Sequence, residues 1–167
     1  MPFDAFIKID GIPGESTDDK HKDWIEILSF SMGVSQATAG SASTGGGASS
    51  QRANFADFSF VKMLDKASPK LALACADGTH IKEITLELCR AGGSDKVKYY
   101  EIKMDECIIS SYRPGGSSHG GEPLPLEEIG IDYGKITWTY TQQKRADGSP
   151  GGQVAAGWDL TKNKAIK

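Results

Sequence analysis

Residues 3–36 read F-D-A-F-I-K-I-D-G-I-P-G-E-S-T-D-D-K-H-K-D-W-I-E-I-L-S-F-S-M-G-V-S-Q, and this stretch decides the fold. Between Phe3 and Ile9 the apolar side chains occupy mostly alternate positions, which predicts a strand with one buried face. The glycines and proline of Gly11–Gly14 end that strand, and a charged turn spans Glu15–Asp23. Alternation returns at Trp24. The stretch therefore predicts two strands of a β-rich fold joined by a polar turn.

The second predicted strand has two unlike faces. One face is apolar except for Glu26 and is predicted to lie in the core; its large members are Trp24, Leu28, Phe30, Met32 and Val34. The other face turns small and hydroxylated after Ile27; its serines are Ser29, Ser31 and Ser35. We expect the serine side to meet solvent or another backbone.

A low-complexity run follows from Gln36 to Gln51 and contains only Ala, Gly, Ser, Thr and Gln. It is centred on Gly45, Gly46 and Gly47 and ends at Arg52. Without charged or large side chains, it buries too little apolar area to offset its ordering entropy, so we expect a mobile loop near 36–52. Loops of this length inside a domain tend to be functional. A second flexible loop is predicted over 113–121.

One helix is predicted between Asp65 and Asp77. Ser68 suits the N-cap, Pro69 suits the first helical position, and Gly78 suits the residue after the helix. Two or three turns are too short to persist alone, so this helix must pack against a sheet.

The remaining strands contain two predicted irregularities. Glu106 falls in the core phase of a strand over Lys96–Tyr112, which indicates a bulge or an edge. In the strand over Glu127–Gln143 the apolar phase shifts near Gly134, which indicates a bulge or a sharp bend. Six or seven strands with one short helix favour a mainly β fold: an antiparallel barrel or a tight two-sheet sandwich.

Composition limits the classes of function. The chain has 167 residues, which favours a single domain over 1–167. Its net charge of −3 does not favour binding to nucleic acid or an anionic membrane. No apolar run reaches the ~20 residues of a membrane helix, so no stable membrane insertion is expected. The three cysteines are odd in number and far apart, which predicts reduced, mostly buried thiols made in the cytoplasm.

No catalytic, metal or cofactor site is predicted. Cys75 and His80 could suggest a cysteine hydrolase, but the cysteine falls inside the helix and the histidine beyond its cap. The other histidines, His21 and His119, occur in polar turns and are predicted to be solvated. The glycine triplet is not followed by the Lys-Ser or Lys-Thr of a phosphate loop.

Trp138 and Tyr140 leave two functions open. As neighbours at alternate positions of one strand, they are typical of a core. They would also serve a monomeric barrel that binds a small ligand, which is the alternative function.

Five blocks of sequence carry a resemblance to a known family, in order along nearly the whole chain. They are F-I-K-I-D-G-I-P-G-E-S from Phe6, H-x-x-W-I-E-I-L-S-F-S-M-G-V-S-Q from His21, K-x-x-D-K-A-S-P-K-L from Lys62, Y-G-K-I-T-W-T-Y-T-Q-Q from Tyr133 and G-W-D-L-T-K-N-K from Gly157. These blocks resemble the Hcp (haemolysin co-regulated protein) family of bacterial type VI secretion. The family-block residues expected to be structural are Gly14, Glu15, Ser16, Trp24, Trp138, Tyr140, Gly157, Trp158 and Asp159.

The resemblance implies a structural, non-enzymatic virulence protein with a phage tail-tube-like barrel and one flanking helix. Such proteins form hexameric rings that stack into a secreted inner tube, with a VgrG spike at the tip, a contractile sheath outside and effectors in the lumen. It further implies a start in the bacterial cytoplasm and export to the medium or a target cell. We expect no cleavable signal peptide, because the first strand begins at Phe3, and no C-terminal toxin domain after Lys164.

Within this expected tube, two sets of residues are candidate sites. The serines Ser29, Ser31 and Ser35 are predicted to face the lumen. The loop from Gln36 to Arg52, including its glycine triplet and Gln51, is predicted to contact a neighbouring ring. The charged turn over Glu15–Asp23 either steers stacking or is simply solvated.

Overall fold

The computed structural model describes residues 3–39, 49–90, 96–121 and 123–166. Within these residues the chain forms twelve strands and one helix. They are β1 (Phe3–Ile9), β2 (Ile25–Ile27), β3 (Ser29–Ser31), β4 (Val34–Ala39), β5 (Ser49–Phe55), β6 (Phe58–Met63), α1 (Ser68–Asp77), β7 (His80–Arg90), β8 (Val97–Gly115), β9 (Leu126–Asp132), β10 (Lys135–Gln143), β11 (Pro150–Asp159) and β12 (Lys164–Ile166).

Most of the strands close into an antiparallel barrel. β2 pairs with β1, and β3, which follows it after one residue, pairs with β6. β6 then pairs with β9, and β9 pairs with the C-terminal half of β8. The N-terminal half of β8 pairs with β7, which returns to β1 and closes the ring. The predicted antiparallel barrel with one short helix is confirmed.

A three-stranded extension leaves the barrel at β8, and we call it the wing. β10 pairs with the N-terminal half of β8, β11 pairs with β10, and β12 pairs with the end of β11. β9 pairs with the C-terminal half of β8, and β10 pairs with its N-terminal half. The long strand β8 therefore belongs to both barrel and wing. The two parts therefore share one continuous sheet.

The core consists of apolar rows that cross the barrel from strand to strand. One such row joins Phe30, Phe60, Ile129 and Tyr112, and a second joins Phe58, Ile131 and Ile109. Phe58 and Phe60 are fully buried, and each large apolar side chain buried in this way contributes roughly 1.5–3 kcal/mol.

The helix has the predicted end but a different start. Gly78 adopts the left-handed conformation (φ 67°) and closes α1, as expected. The prediction that Ser68 is the N-cap is wrong, because Ala67 holds that position and the Ser68 hydroxyl is buried below the helix. Leu71 faces the core, whereas Leu73 points to solvent.

The predicted core face of the second strand is wrong at several positions. Ile25 and Ile27 are buried, whereas Leu28 is 52% exposed and Val34 is also exposed. The reason is a bend at Leu28, where the chain leaves β1 and its N–H donates to the carbonyl of Val61 at 2.7 Å. Before the bend the odd-numbered Ile25 and Ile27 face the core, and after it the even-numbered Phe30 does.

A second irregularity lies where the barrel meets the wing. Glu106 has a left-handed backbone (φ 56°) and is exposed, so the buried positions of β8 switch there from Met104 to Cys107. Opposite it, the N–H of Gly134 donates to the carbonyl of Asp105 at 3.0 Å and to that of Glu106 at 3.1 Å. The irregularity expected at Glu106 and the bend expected near Gly134 are both confirmed.

The long small-residue run is ordered at both ends. β4 and β5 pair antiparallel in a separate two-stranded sheet, which we call the hairpin, and this corrects the loop predicted from Gln36 to Gln51. The glycine triplet lies in 40–48, outside the described residues. The second predicted loop is also shorter than expected, because β8 continues through Gly115.

The helix α1, at ten residues, is too short to span a bilayer, and the described part of the chain contains no longer apolar helix.

Candidate functional site: a serine face, a hairpin and the anchors behind them

The outward side of the sheet β3–β6–β9–β8 carries a row of the smallest polar side chains. Ser31 lies opposite Ser59, Ser59 opposite Gly130, and Gly130 opposite Ser111. The hydroxyls of Ser31 and Ser59 are 2.9 Å apart. We call this row, together with Ser29 and Ser110, the serine face.

The serine face arises from simple alternation. Phe58, Phe60, Ile129 and Ile131 point into the barrel, so the serine and glycine between them must point out. Four strands at ~4.8 Å spacing give a row of small residues about 14 Å long. A carboxylate borders this row, because the Ser110 hydroxyl donates to Asp57 at 2.8 Å. The neighbouring cross-strand row on the same side of the sheet contains small, apolar and charged side chains. Its members are Ser29, Val61, Glu128 and Arg113.

The structure places two of the three predicted serines on this face. Ser29 and Ser31 are exposed on β3. Ser35 is exposed as well, but it belongs to β4 in the separate hairpin, so it does not share a sheet face with the other two. Sequence reasoning missed Ser59, Ser111 and Gly130, although their alternation with Phe and Ile was a usable signal.

A buried ion pair supports the serine face from behind. Lys62 and Glu127 face the core, and the Lys62 ammonium lies 2.7 Å from a Glu127 carboxylate oxygen. The ammonium also lies 2.7 Å from Asp65 and donates to the Ser68 hydroxyl at 3.0 Å. Ser68 in turn donates to Glu127 at 2.8 Å, which ties the first turn of α1 to β6 and β9.

Tyr112 completes this buried network from β8. Its hydroxyl donates to the second carboxylate oxygen of Glu127 at 2.5 Å. Burial acts to raise the pKa of Glu127, but hydrogen bonds from Lys62, Tyr112 and Ser68 outweigh it and hold the pKa below its ordinary value. Burial and the neighbouring Glu127 raise the pKa of Tyr112 to about 12. Glu127 is therefore held as a carboxylate inside the fold.

Aromatic packing fixes the base of the hairpin on the wing. Phe55, the last residue of β5, stacks on Trp138 and on Trp158 with ring centroids 6.4 Å away in each case. The indole N–H of Trp138 donates to the sulfur of Met32 at 3.3 Å. The Arg52 guanidinium, itself exposed, donates to the carbonyl of Leu160 at 3.3 Å. The hairpin thus leaves the barrel from a fixed point.

The other predicted loop residues are only partly placed. Gln36 is exposed on β4, where its backbone lies opposite Ala53, and Gln51 falls within β5. The contact of this segment with a neighbouring ring stays a prediction.

The polar turn of the first sequence block folds back onto the sheet, and we call Gly11–Trp24 the strap. Gly14 donates to the carbonyl of Asp23 at 2.7 Å, and Ser16 donates to that of Trp24 at 3.0 Å. A side chain at position 14 would place its Cβ 2.4 Å from the Trp24 carbonyl oxygen. Glycine is therefore required there, which gives this family-block residue a physical role. Glu15 accepts a hydrogen bond from the backbone of the α1 approach at Lys66.

The prediction that His21 is solvated is wrong. Its ring is buried under the strap, stacked on Phe6 at 4.2 Å and edge-on to Trp24 at 4.8 Å. Its Nδ1 lies 2.7 Å from an oxygen of Asp18, and its Nε2 lies 3.4 Å from one of Glu87. The hydrogen bond with His21, followed by that with Lys96, lowers the pKa of Asp18.

The last family block makes a tight turn after β11. Asp159 is buried and accepts hydrogen bonds from the backbone of Thr161 at 2.9 Å and of Lys162 at 3.1 Å. A Cβ on Gly157 would lie 2.9 Å from the Thr137 hydroxyl and 3.1 Å from a backbone oxygen. These contacts are consistent with a structural role for both residues, which stays a prediction.

The possible nucleophiles are in poor surroundings for catalysis. Burial raises the pKa of Cys89 to about 11 and that of Cys107 to about 12, which keeps both thiols protonated. Cys75 is half-buried in α1, and the neighbouring Asp77 accepts hydrogen bonds from Thr79. All three cysteines are free thiols. Among the described residues no set of three His, Cys, Asp or Glu side chains is arranged to hold a metal.

Comparison with known proteins decides the family. The family model described as "Type VI secretion system effector, Hcp" matches residues 6–140. The protein Hcp1 of Pseudomonas aeruginosa is 37% identical over 163 residues, which cover 98% of each chain. The chain belongs to the Hcp family.

Solved structures agree with this assignment to the Hcp family. One, described as the structure of a type six secretion system protein, superposes with a TM-score of 0.92 at 37% identity and covers 99% of this chain and 100% of its own. Hcp1 from Salmonella typhimurium superposes with a TM-score of 0.82 at 33% identity, with the same coverage. The resemblance inferred from the five sequence blocks is confirmed over nearly the whole chain.

Proposed function

We propose that this chain assembles into hexameric rings that stack as the inner tube of a type VI secretion machine and that the serine face lines the lumen. The observation that carries the lumen assignment is the cross-strand row Ser31–Ser59–Gly130–Ser111. Such a row presents hydroxyl groups to water and offers little apolar area for a passing protein to adhere to. A wall of this kind suits transport of effectors of varied sequence.

The partners follow from this role. Second copies form the ring and the stack, a VgrG spike caps the tube, a contractile sheath surrounds it, and effectors occupy the lumen. Export of the assembled tube by the machine takes the chain from the cytoplasm to the medium or the target cell. The hairpin is the element best suited to contact a second copy, in its own ring or in a neighbouring one, because it forms a separate sheet whose base is held by Phe55 and Arg52.

The alternative function, a small-ligand barrel at Trp138 and Tyr140, has weaker support. Phe55 stacks on Trp138, and the indole N–H is engaged by Met32, so the Trp138 ring is not an open platform. Tyr140 is exposed, but it lies on the wing rather than in the barrel.

Light scattering and negative-stain imaging test the proposal directly. We expect ring-shaped hexamers, and a protein that stays monomeric at high concentration would refute the assembly. Ser31→Trp places an indole on the serine face, so rings should still form but with a narrowed centre and reduced effector export. The control is Lys8→Trp, which places the same indole at an exposed position of β1. Intact rings with an unchanged centre in Ser31→Trp would refute the assignment of the serine face to the lumen but not the assembly into rings.

A further inference from the structure

An apolar row leaves the core and continues onto the uncovered part of the wing. Leu88, Tyr100, Tyr140 and Val154 are cross-strand neighbours on β7, β8, β10 and β11. Their exposure increases in that order: Leu88 is 6% exposed, Tyr100 is half-buried, Tyr140 is 42% exposed and Val154 is 71% exposed. The row therefore begins as core and ends as apolar surface in contact with water.

The same part of β11 has an open backbone edge. β12 pairs only with Gly157, Trp158 and Asp159, so within the described residues the segment from Pro150 to Ala156 is bonded on one side alone. Natural proteins usually protect such edges with charged side chains. The run P-G-G-Q-V-A-A-G-W over β11 contains none. An uncharged open edge beside exposed apolar side chains is a site for strand addition.

Among the described residues, the hairpin offers a matching donor strand. Its strand β4, V-S-Q-A-T-A, is also uncharged, and in the described residues it pairs only with β5. Val34, at the start of β4, is 49% exposed. In its own copy the hairpin leaves Val154 71% exposed, although Phe55 packs on Trp138 and Trp158 of the wing.

We propose that β4 of one copy adds to the open edge of β11 in a second copy, with Val34 of the donor beside Val154 and Tyr140 of the acceptor. This inference rests on the proposed self-assembly and names the surfaces that perform it. Donor and acceptor are different surfaces, so the contact is heterologous, and each copy offers one of each. A heterologous contact produces a closed ring when its rotation closes, and an open helix when it does not.

Val154→Glu tests the acceptor. Because Val154 is 71% exposed, the substitution should leave circular dichroism and the melting temperature of the monomer unchanged while placing a charge in the contact. We expect the concentration at half-assembly to rise by about tenfold or more, as for a residue central to an interface. The matched control is Leu73→Glu on α1, where a leucine is 63% exposed outside the wing; its assembly should be unchanged.

Disulfide trapping tests the donor. In a Cys75→Ser background, Val154→Cys is combined with Val34→Cys or with Gln36→Cys, which share one face of β4. Mild oxidation should give a ladder of covalent oligomers on a non-reducing gel for at least one pair. The combination of Val154→Cys with Leu73→Cys should give none.

The possible results separate the inference from the function it rests on. A wild-type protein that never assembles refutes both. Wild-type rings that persist in Val154→Glu overturn the inference and leave the tube function standing. Loss of rings in Val154→Glu without any ladder rejects the hairpin as the donor. Loss of rings together with a ladder supports the contact as proposed.

Discussion

Lys62 is a lysine whose ammonium group lies entirely within the fold. It has charged or polar partners on every side: Glu127, Asp65, the Ser68 hydroxyl and the Met63 carbonyl. Burying an ion is costly, and the cost is offset only when its partners are well placed. The charges of this cluster are therefore satisfied only when β6, β9 and α1 are all in position.

Lys62→Met should destabilise the chain strongly. The substitution leaves Glu127 buried without its cation, and breaking such a pair costs about 3–5 kcal/mol. Chemical denaturation followed by circular dichroism measures the change in free energy of unfolding. The matched control is Lys66→Met, at an exposed position of the same segment, which should change stability by less than about 0.5 kcal/mol. Equal effects of the two substitutions would contradict the proposed role of the buried pair.

The depressed pKa of Glu127 predicts a pH dependence. A carboxyl with a lower pKa in the folded state than in the unfolded state adds stability above its unfolded pKa, and that stability is lost as pH falls through the folded value. Glu127→Gln cannot take part in this titration. We therefore expect the difference in free energy of unfolding between wild type and Glu127→Gln to become smaller as pH falls from about 7 to about 3. A difference that stays constant over that range would contradict the assignment.

The residues that sequence reasoning misjudged have a common cause. His21 was predicted to be solvated, and no role was predicted for Lys62 or Glu127, because charged and titratable side chains usually lie in solvent. Yet Lys62 is in phase with Phe58 and Phe60, so the alternation already placed it in the core. For His21 there was no such signal, since its burial depends on the strap folding back onto Phe6, a contact between separate elements.

Gly14 sets how closely the strap can approach the barrel. Gly14→Ala would place a methyl group against the Trp24 carbonyl and the Ile25 side chain, at 2.4 Å and 2.7 Å. We expect a loss of about 1–3 kcal/mol, as for overpacking in a core, with faster hydrogen exchange in the strap. Gly115→Ala is the control, because a Cβ there meets nothing within 4 Å. Similar losses in both variants would show that the strap contact is unimportant.

The elements themselves were predictable to different degrees. Proline and glycine act locally, so Pro69 and Gly78 indicated the ends of α1 correctly to within a residue or two. The bend near Gly134 was visible as a change of phase. The bend at Leu28 was hidden, because apolar residues occur on both sides of it and either phase looked acceptable. The serine face required the pairing of four distant strands, which alternation alone does not supply.

The whole molecule presents two surfaces of different character. The serine face is polar but small, whereas the open edge of β11 carries no charged side chain from Pro150 to Ala156 and lies beside the exposed Tyr140 and Val154. Assembly through the wing should therefore depend little on salt. We expect rings to persist when NaCl is raised from about 0.1 M to about 1 M, although the Debye length falls from ~10 Å to ~3 Å. Light scattering across this range is the measurement, and dissociation at high salt would point to a charged interface instead.

The buried cluster around Lys62 has a consequence for synthesis on the ribosome. The contact between Ser68 and Glu127 spans 59 residues of sequence. At translation rates of ~5–20 residues per second, that segment takes about 3–12 s to be made. During this interval the nascent chain has Lys62, Asp65 and the first turn of the helix but not the carboxylate that completes them. Lys62 then has Asp65 as a partner but lacks Glu127, and β6 lacks its neighbour β9, so the barrel closes only when the β9 strand has emerged.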